Sequence, residues 1–130
     1  MSVIVQKFGG TSLADTDKIK NVARAVVREK ELGNDVIVVV SAMGHTTDNL
    51  IKLAHEITSR PSDREMDMLM STGEQVSIAL LTMAIQEMGY DAVSMTGAQV
   101  GILTEDTHSK ARIVDIKTDK LEKHIEEGKI

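Results

Sequence analysis

Apolar residues along the chain follow two spacings, one typical of strands and one typical of helices. The segment from Val3 to Phe8 predicts a strand. From Asp15 to Leu32 apolar positions recur every three or four residues, which predicts an amphipathic helix ended by Gly33-Asn34. Five β-branched residues at 36–40 have no polar alternation, so we expect a parallel strand buried on both faces.

The rest of the chain continues this alternation. A second helix carries Leu50, Leu53, Ala54 and Ile57, with Thr46 or Thr47 as N-cap and Arg60-Pro61 at its end. The remaining predicted elements are a long helix at about 62–88, strands at 92–95, 100–103 and 111–116, and a short helix at 118–127.

This order predicts the fold class. Strands alternating with helices indicate an α/β protein with a mainly parallel sheet sandwiched by helices. A length of 130 residues corresponds to about one domain. After the helix stop at Gly128, Lys129-Ile130 should begin another strand, so we expect residues 1–130 to be the N-terminal portion of a longer domain.

The composition excludes several function classes. The net charge is −5, and only 2% of the residues are aromatic, so nucleic-acid binding is not expected. The absence of cysteine excludes disulfides and cysteine metal sites. With no signal sequence and no apolar run of the length that a bilayer demands, we expect a cytoplasmic protein without membrane contact. The four histidines show no ligand spacing, so we expect no metal site, and His45 should face solvent.

The first candidate site is the loop after the first strand. Gly9 and Gly10 allow backbone N–H groups to approach an anion, Thr11 and Ser12 add hydroxyl donors, and the following helix offers its positive end. Lys7 would lie at the carboxyl edge of the sheet, where open α/β sheets bind ligands. The pattern alone equally allows a tight connection with a surface lysine.

The second candidate site is the segment 41–48, directly after the strand at 36–40. Its small and hydroxyl residues suit recognition of a carboxylate or a phosphate. A simple helix-capping connection explains the same residues.

The third candidate site is Glu74, the only charged residue between Asp67 and Glu87. On a helical wheel it lies beside the apolar stripe, so we expect a partly desolvated carboxylate that needs a cationic or donor partner. Gly73 costs the helix about 1 kcal/mol relative to Ala, which is explained if something approaches the backbone closely. The alternative is a glutamate on the helix shoulder that reaches solvent.

The last segments carry weaker signals. The glycine-rich stretch 96–104 either lines a pocket or forms a turn and a strand, and 105–110 is interpreted as a solvated loop.

Taken together, four motifs make the chain resemble the amino-acid kinase family and, within it, the aspartate kinases. The motifs are KFGGTS at 7–12, VVVSAMGHTTDNL at 38–50, EMDMLMSTGEQVS at 65–77 and TGAQVGILTEDTHSKARI at 96–113. The resemblance covers essentially the whole chain. Members of the family continue through a nucleotide-binding half and usually into regulatory domains.

The resemblance implies ATP-dependent phosphorylation of the side-chain carboxylate of L-aspartate to 4-phospho-L-aspartate. This would be the first step toward lysine, threonine and methionine. Mg²⁺ would be held mainly by the nucleotide, and the enzyme would be a homo-oligomer.

The resemblance also implies roles for individual residues. Lys7 would be the main cation on the phosphates and Glu74 would pair with the ammonium group of aspartate. The other implied contacts are Phe8, Gly9, Gly10 and Ser12 for the nucleotide phosphates, and Ser41 and Thr47 for aspartate.

Two other functions remain open from the sequence. One is a kinase of another amino-acid carboxylate, of the acetylglutamate or glutamate type. The other is a non-catalytic α/β binding or assembly module. Because the nucleotide-binding half is absent from residues 1–130, we expect this segment by itself to be inactive.

Overall fold

In the computed structural model, which describes residues 2–130, helices alternate with strands through the first half of the chain. The strands are β1 (Val3–Phe8), β2 (Asp35–Val40), β3 (Ile102–Thr104) and β4 (Ile113–Ile116). The helices are α1 (Thr16–Glu31), α2 (Thr46–Ile57), α3 (Asp63–Glu87), α4 (Gly97–Val100) and α5 (Asp119–Glu126), and a 3-10 turn spans Gly10–Leu13. The expected α/β class is confirmed.

The parallel pair β1–β2 is the centre of the fold. Its register runs from Val3 opposite Asp35 to Phe8 opposite Val40, with α1 as the crossover. The core lies between this pair and helices α1 and α3. Its buried members are Leu13, Ile19, Val22, Ala23, Val26, Val27, Val36, Leu81, Ile85 and Ala92.

The prediction that β2 is buried on both faces is wrong for residues 2–130, which the structure describes. Val36 is buried, but Val39 is 46% exposed, and Val3 and Val5 of β1 are 53% and 62% exposed. Side chains alternate between the two faces of a strand, so these three residues share the face opposite the core. The described helices pack on the other face, which explains the exposure.

Helix α3 was predicted within one residue at each end. Its buried positions are spaced by four, as expected of one helical stripe: Gly73, Ser77, Leu81 and Ile85. The expectation that no apolar run is long enough for a bilayer was wrong, since this 25-residue helix contains an 18-residue stretch that is long and apolar enough to cross one by length and composition. A core helix of a water-soluble protein has the same length and composition, and α3 packs against α1 and α2.

The N-cap of α2 is His45, with no side-chain capping bond, rather than Thr46 or Thr47. The Asn49 N–H donates to the His45 carbonyl oxygen at 3.0 Å, which makes Thr46 the first helical residue, and the Thr46 N–H donates to the Met43 carbonyl oxygen at 2.9 Å in the turn before it. A tight turn before the helix therefore replaces the hydroxyl cap.

The C-terminal third differs most from the pattern-based expectation. Residues 92–95 form no strand, although Ile130 N–H donates to the Asp91 oxygen at 2.9 Å and Val93 N–H donates to the Ile130 oxygen at 3.0 Å. These two bonds have the parallel ladder pattern around Ala92. The next two strands form an antiparallel hairpin, β3–β4, in a second sheet.

Candidate active site

Two of the candidate loops lie side by side at the carboxyl end of the parallel strands. Ser41 N–H donates to the Phe8 carbonyl oxygen at 3.2 Å, which extends the β1–β2 pairing by one residue. Beyond it, Gly44 N–H donates to the Gly10 carbonyl oxygen at 2.9 Å. Because both strands end at this edge, their following loops meet where open α/β sheets bind ligands.

The two glycines of the first loop have different surroundings. A Cβ on Gly10 would lie 2.8 Å from the Ala42 carbonyl oxygen and 3.3 Å from that of Gly44. A Cβ on Gly9 would meet nothing within 4 Å, and its φ of −82° is open to any residue. The fold therefore requires glycine at position 10, whereas the backbone at Gly9 is open to an approaching group.

Helix α3 joins the same site through Gly73. A Cβ at this position would lie 3.0 Å from Ala42 Cβ and 3.4 Å from Thr46 Cγ2. The expectation that something approaches this backbone closely is confirmed, and the approaching group is the second loop. Glu74, the next residue along α3, therefore follows directly on the contact with the second loop.

The predicted polar residues of the first two motifs are accessible at this edge. Lys7 is exposed, paired in register with Val39 and one residue from the end of β1. Ser12 is exposed in the 3-10 turn, while Ser41 and Thr47 are half-buried at the second loop and in the first turn of α2.

Phe8 lies in a different environment from its expected neighbours. Its side chain packs against the hydrophobic core, and its carbonyl oxygen accepts the Ser41 bond. We therefore assign its ring to packing; its expected nucleotide contact remains a prediction.

The expected desolvation of Glu74 was wrong for the part of the chain that the structure describes. Glu74 is exposed. It sits one position along the helix from Gly73, which points into the contact with Ala42, so the glutamate emerges at the rim of that contact. Its partner in a bound state would come from a ligand or another part of the protein.

The helices that follow the two loops differ in how their N-termini are capped. The N-terminus of α1 is already capped by Asp15, whose Oδ1 accepts from Lys18 N–H at 2.8 Å. The N-terminus of α2 has no side-chain cap and follows Gly44, which is bonded to the first loop. A helix start without a side-chain cap favours an anion more than a capped one does, although Asp48 adds a negative charge to the first turn of α2.

A contact that the sequence interpretation missed joins α3 to the β3–β4 loop. Asp67 Oδ2 accepts from the Ser109 backbone N–H at 2.9 Å and lies 3.1 Å from His108 Nδ1. These partners are more than 40 positions apart in the chain, and no local pattern could have paired them. Residues 105–110 are all exposed, as expected of a solvated loop, and this contact additionally ties the loop to α3.

The His45 side chain near the candidate site faces solvent. His45 is 91% exposed and lies 3.5 Å from Asp48, as expected for a solvent-facing residue. Within residues 2–130, no three acidic or histidine side chains are arranged to hold a metal ion.

Comparison with known proteins shows the family to which the chain belongs. The model of the amino acid kinase family matches residues 2–130. The chain belongs to the amino acid kinase family. It is 58% identical over its whole length to the aspartokinase of Bacillus sp. (strain MGA3) and to aspartokinase 2 of Bacillus subtilis (strain 168). The chain spans 32% of the length of each of these two relatives, or about a third.

Solved structures show the same amino acid kinase fold. Aspartate kinase from Synechocystis matches 98% of this chain and 21% of its own, with a TM-score of 0.85 and 53% identity. Aspartokinase III from E. coli, in complex with aspartate and ADP, matches 87% of this chain and 35% of its own, with a TM-score of 0.73 and 23% identity. At this level of identity, the similarity to the E. coli enzyme shows a shared fold alone.

Proposed function

We propose that the protein containing this segment transfers a phosphoryl group from ATP to the side-chain carboxylate of L-aspartate, giving 4-phospho-L-aspartate and ADP. The observation that carries the proposal is the meeting of three segments at one edge of the parallel pair. Lys7 lies one residue before the end of β1 and Glu74 follows the Gly73 contact with the second loop, which supports a role for both exposed side chains in one site. The names of the similar enzymes support aspartate as the substrate.

The reaction needs charge neutralisation more than proton transfer. The aspartate side chain has an ordinary pKa of about 3.9 and is ionised at neutral pH, so no general base is required. One of its oxygens attacks the terminal phosphorus, and the bond to the bridging oxygen of ADP breaks. Because two anions must approach each other, cations and N–H donors at the transferring group lower the barrier.

Residues of the first loop fit the phosphate side of this reaction. Lys7 offsets charge on the transferring group from the end of β1. The open backbone at Gly9, with no atom where a Cβ would stand, gives phosphate oxygens access to N–H donors. The Ser12 hydroxyl adds a donor, and the Gly10 backbone is fixed by its contact with the second loop.

The second loop and α3 fit the amino-acid side. Glu74 pairs with the substrate ammonium group, while Ser41 and Thr47 offer hydroxyl donors to its carboxylates. The uncapped start of α2 favours the same negative charge. Mg²⁺ would be bound mainly through the nucleotide phosphates, as is usual for this ion.

An acidic residue at position 74 favours aspartate over an N-acetylated substrate. Acetylation removes the positive charge of the amino group, so a facing carboxylate would lose its partner. Glutamate keeps the ammonium group but is one methylene longer, which is a weaker distinction of about 1–3 kcal/mol.

The wider setting follows from this reaction. We propose a cytoplasmic, homo-oligomeric enzyme at the start of lysine, threonine and methionine biosynthesis. One similar protein, E. coli aspartokinase III, has been solved in complex with lysine and aspartate. We expect residues 1–130 expressed alone to be inactive, since they make up about a third of the relatives' length.

Steady-state kinetics of Glu74→Gln in the intact protein test the proposal. Losing one charged partner of the ammonium group should raise the KM for aspartate by about tenfold or more, with the KM for ATP little changed. Glu56→Gln, an exposed carboxylate on α2, is the matched control and should behave as wild type. Aspartate kinetics that are the same in Glu74→Gln and wild type would remove Glu74 from the site.

A further inference from the structure

The β3–β4 hairpin has little support of its own. Every residue of β4 is exposed, and the two strands form a separate two-stranded sheet. Such a sheet is marginally stable in water unless something else holds it. The loop that joins its strands, residues 105–112 (the hairpin loop), therefore depends on contacts with the rest of the fold.

Asp67 supplies such a contact. One oxygen, Oδ2, accepts the Ser109 backbone N–H at 2.9 Å and lies 3.1 Å from His108 Nδ1. A bond to an ionised acceptor is stronger than one between neutral groups. The carboxylate thus ties two consecutive residues of the hairpin loop to the second turn of α3.

The backbone at Ser109 shows that this position is specified. Its φ of 65° is the only positive value at a non-glycine residue among residues 2–130. A serine in this region is energetically unfavourable and persists where surrounding contacts hold it. The Asp67 bond to the same N–H is such a contact.

The anchor and the candidate substrate residue share one face of α3. Asp67 and Glu74 are seven residues apart, which is close to two full turns and about 10 Å along the helix axis. An open cavity of about 440 Å³ lies between Asp67 and the hairpin loop, lined also by Glu105 and Asp106 but not by Glu74. The loop is therefore held beside the end of α3 that leads to Glu74.

We propose that Asp67 is a positioning residue that fixes the hairpin loop on the same face of α3 as Glu74, beside the place where Glu74 binds the substrate. This inference rests on the proposed kinase function. Asp67 itself touches the loop and not the substrate. Releasing the loop should weaken amino-acid binding while leaving the phosphate loop unchanged.

Kinetics and hydrogen exchange of Asp67→Ala in the intact protein test this role. The KM for aspartate should rise about five- to tenfold, with kcat and the KM for ATP within about twofold of wild type. Amide exchange in residues 105–112 should become faster. Asp67→Asn keeps an oxygen acceptor for Ser109 N–H and should recover most of the wild-type KM.

Asp63→Ala removes a carboxylate four residues earlier on the same helix and should leave the aspartate KM unchanged. An unchanged KM in Asp67→Ala would overturn the inference, whether or not loop exchange is faster, since the loop would then be held for stability alone. A wild-type protein without aspartate-dependent turnover would instead overturn the proposed function, and this inference with it.

Discussion

At the scale of single residues, neighbouring glycines serve different purposes. Gly10 is required by the fold because the Ala42 carbonyl oxygen occupies the space of a side chain, 2.8 Å from where Cβ would stand. Gly9 has no such neighbour. Gly10 is therefore needed for packing, whereas the backbone at Gly9 is open.

Replacing each glycine by alanine separates these purposes. Gly10→Ala must push the second loop away, and overpacking of this kind costs about 1–3 kcal/mol, so the Tm of the intact protein should fall. Gly9→Ala should leave the Tm close to wild type but weaken ATP binding, because a methyl group then stands on the open backbone. Calorimetry measures both quantities for the two variants.

The reverse pattern would contradict this division. A Gly10→Ala protein as stable as wild type would show that the second loop yields easily. ATP affinity unchanged in Gly9→Ala would show that phosphate oxygens do not approach that backbone.

Gly73 and Glu74 show which features of the site could be predicted from the sequence and which could not. Gly73 could be recognised as a point of close approach because glycine is costly within a helix. The identity of the approaching group, Ala42, depends on the fold. The exposure of Glu74 could not be derived from a helical wheel. A wheel gives the face of the helix on which a side chain lies, but not whether another element packs against that face.

At the scale of elements, a side-chain hydrogen bond joins the last residue of α1 to the segment just after α3. The Tyr90 hydroxyl, just after α3, donates to Glu31 Oε1 at 2.9 Å. Hydrogen bonding to the Glu31 carboxylate, followed by desolvation and the negative charge of Glu31, raises the pKa of Tyr90 above its ordinary value of 10.0. The neutral phenol is the form that holds the two helices together.

A titration of Tyr90 by NMR, with isotope-labelled tyrosine and Tyr90→Phe for assignment, tests this contact. Since the folded pKa is raised, the contribution to stability is fully present below about pH 10 and is lost as the pH rises through the raised pKa. Glu31→Gln should bring the Tyr90 pKa back toward its ordinary value. Glu29→Gln, a neighbouring carboxylate that bonds to Asn34 instead, should not. An equal pKa in wild type and Glu31→Gln would refute the assignment.

Element boundaries were predicted well where the pattern is long. The bounds of β1 were predicted as observed, and those of α1 and α3 to within a residue. Short segments were predicted less well, because a strand such as 92–95 exists only when a partner strand pairs with it. The helix at 97–100 was missed for a related reason: its Thr96–Gln99 capping box occupies residues that also suit a turn.

At the scale of the whole molecule, the site is assembled from segments far apart in sequence. The loops after β1 and β2 meet because parallel strands end at one edge, which the alternation of elements predicted. The approach of α3 to the second loop and the anchoring of the hairpin loop by Asp67 involve no local pattern. The family resemblance, rather than periodicity, linked Lys7, Ser41 and Glu74 to one reaction.

The central claim is that Lys7 offsets charge during phosphoryl transfer to aspartate at this edge of the sheet. The most direct measurement is ATP-dependent acyl phosphate formation by the intact protein, trapped with hydroxylamine, for L-aspartate, L-glutamate and N-acetyl-L-glutamate. Lys7→Ala is compared with Lys52→Ala, an exposed lysine on α2.

The account predicts product with L-aspartate in preference to the other two acids. It predicts a fall in kcat of about a hundred- to a thousand-fold in Lys7→Ala and none in Lys52→Ala. Wild-type turnover in Lys7→Ala, or product from N-acetyl-L-glutamate alone, would contradict it.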